Sequence, residues 1–95
     1  MFKDLDPLLH SQLRLAIISY LVANRATDFN ELKMVTKATS GNLSVQLKKL
    51  QAAEYLKIEK GFKNNYQHTA IEITPQGIDA FETYVTVLKE YLDPS

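Results

Sequence analysis

The chain has 95 residues, 45% of them hydrophobic, enough for one compact domain with one core and too few for two. It carries no cysteine, which excludes disulfides, thiolate metal sites and a cysteine nucleophile and suits a reducing cytoplasm. The formal net charge is zero, yet residues 33–63 hold seven lysines against two glutamates, a net of +5, while residues 72–95 hold five acidic groups against Lys89 alone, a net of −4. A basic middle and an acidic tail leave room for a polyanionic partner in spite of the neutral sum.

Asp6-Pro7 starts a helix, with an N-cap acceptor followed by proline at the first helical position. Leu9, Leu13, Ile17 and Tyr20 then recur at helical spacing, and Ile18, Leu21 and Val22 widen the stripe, so the pattern predicts a helix over 7–24 with a second capping point at Ser11. Its apolar run AIISYLVA, residues 16–23, is far shorter than the roughly 20 residues of a membrane span. No small-residue cleavage pattern follows a charged start, so the expected location is the cytoplasm.

Asp28 caps a short second helix over 28–36, with Glu31 in the capping-box position and Leu32 and Val35 turned inward. A three-residue turn leads to Thr39, the cap of a third helix over 39–53. There Leu43, Leu47 and Leu50 fall within about 60° of one another and form a buried stripe. Gly41, Val45, Lys48 and Ala52 face the other way, with Asn42 and Lys49 at the edges. Two helices joined by a tight turn, the second with a polar and basic outer face, fit a helix-turn-helix.

LKIEKG alternates as a strand, with Leu56 and Ile58 inward and Gly61 closing it, and TAIEI is its partner, with Ile71 and Ile73 inward. GFKNNYQH between them reads as a polar turn whose Asn-Asn pair tolerates the left-handed backbone of a hairpin tip. Residues 56–73 thus form a wing. Thr74-Pro75 starts the last helix, 75–92, on which Ile78, Phe81, Val85, Leu88 and Leu92 make a two-heptad seam beside Tyr84. With Leu9 and Leu13 from the first helix, these residues are the expected dimer interface. The expected fold is mainly α with a small β-hairpin, a single domain over 1–95 in the order α-α-α-β-β-α.

Five stretches taken in order, LDPLLHSQLRLAI (5–17), DFNELK (28–33), TSGNLSVQLKKL (39–50), EKGF (59–62) and ITPQG (73–77), resemble the small single-domain winged-helix transcriptional regulators of the MarR-like and ArsR-like type. The resemblance implies that the third helix enters the DNA major groove while the hairpin reaches the neighbouring minor groove or its phosphates. Carried onto this sequence, it places Ser40, Gly41, Asn42, Ser44, Lys48 and Lys49 at the groove or backbone, and Lys63, Asn64, Asn65 and Gln67 on the wing. Gly41 then has a physical role, since a helix start without a β-carbon lets a phosphate or base edge approach the free N–H groups.

Three positions depart from the pattern. Lys37 stands where relatives carry the glycine of the turn, which implies a strained left-handed backbone or a different turn. Val45 and Gln46 replace a lysine and a polar or aromatic reader; Val45 suits a thymine methyl and Gln46 an adenine. The wing carries one lysine at its tip and no arginine.

No cofactor or metal is expected, and no enzyme: the two histidines, His10 and His68, are far apart, and HExxH, nucleophile-elbow and phosphate-loop patterns are missing. The expected partners are double-stranded DNA and a second copy of the chain, with no membrane. The expected outcome is transcriptional regulation, repression before activation. A winged-helix protein-interaction module is the alternative, since the fold alone does not fix function. A small apolar effector between Tyr20, Phe81 and Tyr84 is a further expectation, with no ligand named.

Overall fold

The computed structural model describes residues 2–93 and places seven elements in chain order: α1 (Gln12–Asn24), β1 (Ala26–Asp28), α2 (Phe29–Thr36), α3 (Ser40–Ala52), β2 (Leu56–Lys63), β3 (Tyr66–Ile73) and α4 (Pro75–Leu92). The helices and the hairpin come in the expected order, and β1 is an addition to it. This three-residue strand pairs antiparallel with β3, Ala26 opposite Glu72 and Asp28 opposite Ala70, giving a sheet of order β1-β3-β2. Three residues are too few to show alternation, so nothing in their pattern distinguishes this strand from a linker.

The first helix begins later than its proline suggests. Asp6 caps a single turn, its Oδ1 accepting from Leu8 N at 2.9 Å and its carbonyl from His10 N at 2.9 Å. Ser11 is then extended (φ −152°, ψ 129°), and α1 proper starts at Gln12. The other helix starts obey the expected caps: the Asp28 side chain accepts from Glu31 N, that of Thr39 from Asn42 N, and that of Thr74 from Gly77 N.

One core serves the whole domain. Leu9, Ile17, Ile18 and Leu21 meet Leu32 of α2, the Leu43, Leu47 and Leu50 stripe of α3, and Leu56, Ile71 and Ile73 of the sheet, with Tyr84 of α4 closing one side. Burying each such side chain contributes about 1.5–3 kcal/mol, so the leucine stripe holds α3 with one face in and one face out.

Two backbone features set the connections. Lys37 is left-handed (φ 59°, ψ 24°), so the turn before α3 has the glycine geometry without the glycine. At the first turn of α4, a β-carbon on Gly77 would lie 2.4 Å from the Tyr55 carbonyl oxygen, so only glycine allows α4 to sit this close to the α3–β2 connection. That connection is tied further by Tyr55, whose hydroxyl donates to Asp6 Oδ2 at 2.6 Å, and by Thr74, whose hydroxyl donates to the Glu54 carbonyl at 2.7 Å.

The hairpin is longer than its apolar residues indicate. Gly61 does not close β2; it pairs with His68, and the ladder continues through Phe62 opposite Gln67 to Lys63 opposite Tyr66. The loop shrinks to Asn64 and Asn65, both at positive φ (52° and 68°), the two-residue turn that the Asn-Asn pair suits. The outer half of the hairpin leaves the core behind, and an exposed ribbon shows no apolar alternation by which a strand could be recognised.

Candidate nucleic-acid interface

The leucine stripe of α3 fixes what its other face can do. At 100° per residue, Gly41, Val45 and Lys48 lie opposite Leu43 and Leu47, Ser40 and Ser44 lean to one side, and Asn42, Gln46 and Lys49 to the other. Exposure follows this geometry: Ser40, Gly41, Asn42, Val45, Lys48 and Lys49 are exposed, while Ser44 and Gln46 are half-buried. Val45 leaves 49% of its surface in solvent at the centre of the face.

At the start of α3, Thr39 Oγ1 takes the N–H of Asn42 at 3.2 Å, which leaves those of Ser40 and Gly41 among the first-turn donors without an intrahelical acceptor. Around Gly41 an added β-carbon would meet nothing within 4 Å, and its φ is an ordinary negative one. The fold therefore places no demand for glycine here, in contrast to Gly77.

Between α3 and the wing lies an open groove of about 650 Å³. Ser40, Ser44 and Lys48 form its helix side, and Lys60, Gln67 and Thr69 its wing side, with Asn30 at the start of α2 also lining it. Two lysines thus line one groove, together with hydroxyl and amide side chains and, at Asp28, a carboxylate already engaged as the α2 cap. Strand parity explains the wing side, because Lys60 shares its face with Leu56 and Ile58, as Gln67 does with Ile71.

The same parity sorts the other lysines. Lys57 and Lys63 stand on the opposite face of β2, and Lys57 is paired with Glu59 at 3.3 Å. Lys63 adjoins the tip formed by Asn64 and Asn65, outside the groove. Phe62 and Tyr66, 81% and 77% exposed, add an apolar end to the wing.

Lys60 and Asn30 are additions to the expected contact residues. For Lys60 the signal is present in the alternation of LKIEK; for Asn30 only the tertiary approach of α2 to the wing reveals it.

On the far flank of α3, Gln46 is held between two partners. Arg14 of α1 donates from Nη1 to Gln46 Oε1 and from Nε to the Leu8 carbonyl at 2.6 Å, and Gln46 Nε2 donates to Asn42 Oδ1 at 2.9 Å.

The expected dimer residues divide into two groups. Leu9 and Tyr84 are fully or almost fully buried inside the protomer, and Tyr84 also lies 3.1 Å from His10 Nδ1 through its hydroxyl. Leu13, Ile78, Phe81, Val85 and Leu88 are half-buried, and Leu92 is 75% exposed. On α4 the latter set runs along a stripe beside the Gly77–Tyr84 face that packs on the core. Tyr20 and Phe81, the expected effector lining together with Tyr84, pack against the core cluster. No helix among the described residues is long and apolar enough to cross a membrane.

The chain is similar to known proteins in sequence and in fold. Residues 13–92 match the family described as winged helix DNA-binding domain. An uncharacterised protein of Methanocaldococcus jannaschii is 33% identical over 76 residues, 80% of this chain and 83% of that protein. The transcriptional regulator homologue of Pyrococcus horikoshii superposes with a TM-score of 0.86 at 26% identity, over 92% of this chain and 86% of that one. A mutant of MarR from E. coli, solved with operator DNA, superposes with a TM-score of 0.72 at 18% identity over 90% of this chain, which spans 61% of that longer one.

Proposed function

The chain belongs to the winged helix DNA-binding domain family and has the fold of MarR-type transcriptional regulators; from that premise we propose that it binds specific double-stranded DNA sequences as a homodimer. The observation that carries this reading is the groove with Lys48 on one wall and Lys60 on the other, beside a helix face whose glycine the fold does not need. A phosphate strand lying in the groove meets both ammonium groups while Val45 and Asn42 face base edges in the major groove.

Dimerisation rests on the half-buried stripe of α4 with Leu13 of α1. A twofold pair would set two recognition helices roughly 34 Å apart, matching half-sites about 10 bp apart. Repression follows most directly, because occupancy of a promoter suffices for it, whereas activation needs a further contact.

Titration of a random-sequence duplex at low salt tests binding, and selection from a random pool tests sequence and symmetry. The expected results are binding that is lost by roughly 0.2 M salt and an inverted repeat among selected duplexes. A second reading, a protein-interaction module, draws on the exposed Phe62 and Tyr66 of an arginine-free wing. Indifference to DNA at low salt would favour it.

A further inference from the structure

Arg14, Gln46 and Asn42 form a hydrogen-bonded chain whose polarity is dictated from one end. A guanidinium has donors and no acceptor, so the atom of Gln46 that meets Arg14 Nη1 must be its carbonyl oxygen. That turns the Gln46 NH₂ group towards Asn42, one helical turn back, and a donor there requires the Asn42 carbonyl oxygen as its acceptor. Arg14 is itself anchored, with Nε on the Leu8 carbonyl at 2.6 Å, and both Arg14 and Gln46 are half-buried. The NH₂ group of Asn42, on an exposed side chain, is the end left without a protein partner among the described residues.

We propose that Arg14 is a positioning residue for DNA recognition: acting through Gln46, it locks the Asn42 amide so that its NH₂ group faces the duplex and donates to guanine rather than pairing with adenine. The inference rests on the DNA-binding reading above and deepens it. In the major groove guanine offers two acceptors, N7 and O6, whereas adenine offers N7 beside an NH₂ donor. A bidentate contact with adenine needs the asparagine oxygen turned outward next to the nitrogen, and here it is turned along the helix to Gln46. Gln46 has its oxygen on Arg14 and its NH₂ group on Asn42, so turning its amide outward for a bidentate adenine contact would break both bonds. The chain thereby replaces the adenine preference that the sequence suggests at Gln46 with a guanine preference at Asn42.

The test starts from the duplex obtained by selection with the full chain. Asn42→Ala identifies the base pair whose preference it abolishes, and affinities are then compared for guanine, 7-deazaguanine and adenine at that position. The native protein is expected to favour guanine over adenine by about tenfold or more, in line with one well-made base contact. Gln46→Met removes the link at nearly constant side-chain length, and Arg14→Met removes the anchor. Each is expected to bring the guanine-to-adenine ratio close to one, with unfolding curves confirming a folded protein.

The ratio separates positioning from general damage, since loss of fold or of phosphate binding weakens all duplexes alike. A native preference for adenine at the Asn42 position, or a guanine preference unchanged in folded Gln46→Met, would overturn the proposal while leaving DNA binding intact. Absence of binding to any duplex at low salt would instead remove the underlying reading and the proposal with it.

Discussion

Gly41 and Gly77 occupy the first turns of two helices in one small domain, and their surroundings could hardly differ more. Gly77 is pressed against the Tyr55 carbonyl, whereas Gly41 has open space where its side chain would be. One glycine belongs to a scaffold in which α4, the N-terminal turn and the α3–β2 connection are locked together. The other belongs to a surface held from behind by three leucines and free in front. A residue that weakens a helix and does nothing for packing invites an explanation outside the protomer, and the free donors at the start of α3 point to an approaching anion or base edge.

The contrast can be broken most forcefully at Gly77. Alanine there must displace backbone rather than a flexible side chain, and Gly77→Ala is expected to cost about 3 kcal/mol in urea unfolding. A loss below about 0.5 kcal/mol, within the range of ordinary surface substitutions, would show that α4 can shift freely.

Lys48 and Lys60 sharpen the other side of it. Their joint replacement by alanine is expected to weaken binding to all duplexes and to flatten the slope of log affinity against log salt by about 0.9 for each phosphate that is no longer neutralised. Lys57→Ala serves as the control, since Lys57 faces away from the groove and pairs with Glu59. Its slope should match that of the native chain.

Tyr55 tests the scaffold from its other end. Burial first, and the hydrogen bond to the Asp6 carboxylate second, push its hydroxyl up to about 12. A folded pKa above the unfolded one means that the stabilisation is fully present below about pH 10 and is lost as pH rises through 12. Tyr55→Phe should cost about 1.5 kcal/mol at neutral pH and remove this part of the alkaline loss of stability, as measured by unfolding at a series of pH values.

The smallest of the scaffold effects is at Lys37, whose left-handed backbone a glycine adopts without strain. Lys37→Gly is expected to raise stability by about 1 kcal/mol, and an unchanged midpoint in thermal unfolding would mean that the turn stores no strain.

Which parts are legible in the sequence follows from the range of the interactions involved. Caps and stripes act within a few residues, so Asp28, Thr39 and Thr74 mark their helices and the α3 leucines define its outer face. The Lys37 backbone is legible as a departure from a pattern. What escapes depends on long-range pairing: β1 exists only because β3 passes beside it, and the distal wing only because Lys63 and Tyr66 close a two-residue turn. The groove is half visible, through Ser40, Ser44, Lys48 and Gln67, while Lys60 needs strand parity and Asn30 needs the assembled fold. Arg14 lies 32 residues from Gln46 and carries no local sign of its contact.

Gly41→Ala examines the outer face of α3 most directly, because it adds one methyl group where the protein itself has nothing to meet. Measured on the same preparation, stability should rise by about 0.5 kcal/mol while affinity for the selected duplex falls by about tenfold, the duplex and not the fold being what excludes the methyl group. A variant that is stabilised and binds its duplex as tightly as the native chain would contradict the placement of DNA against this helix.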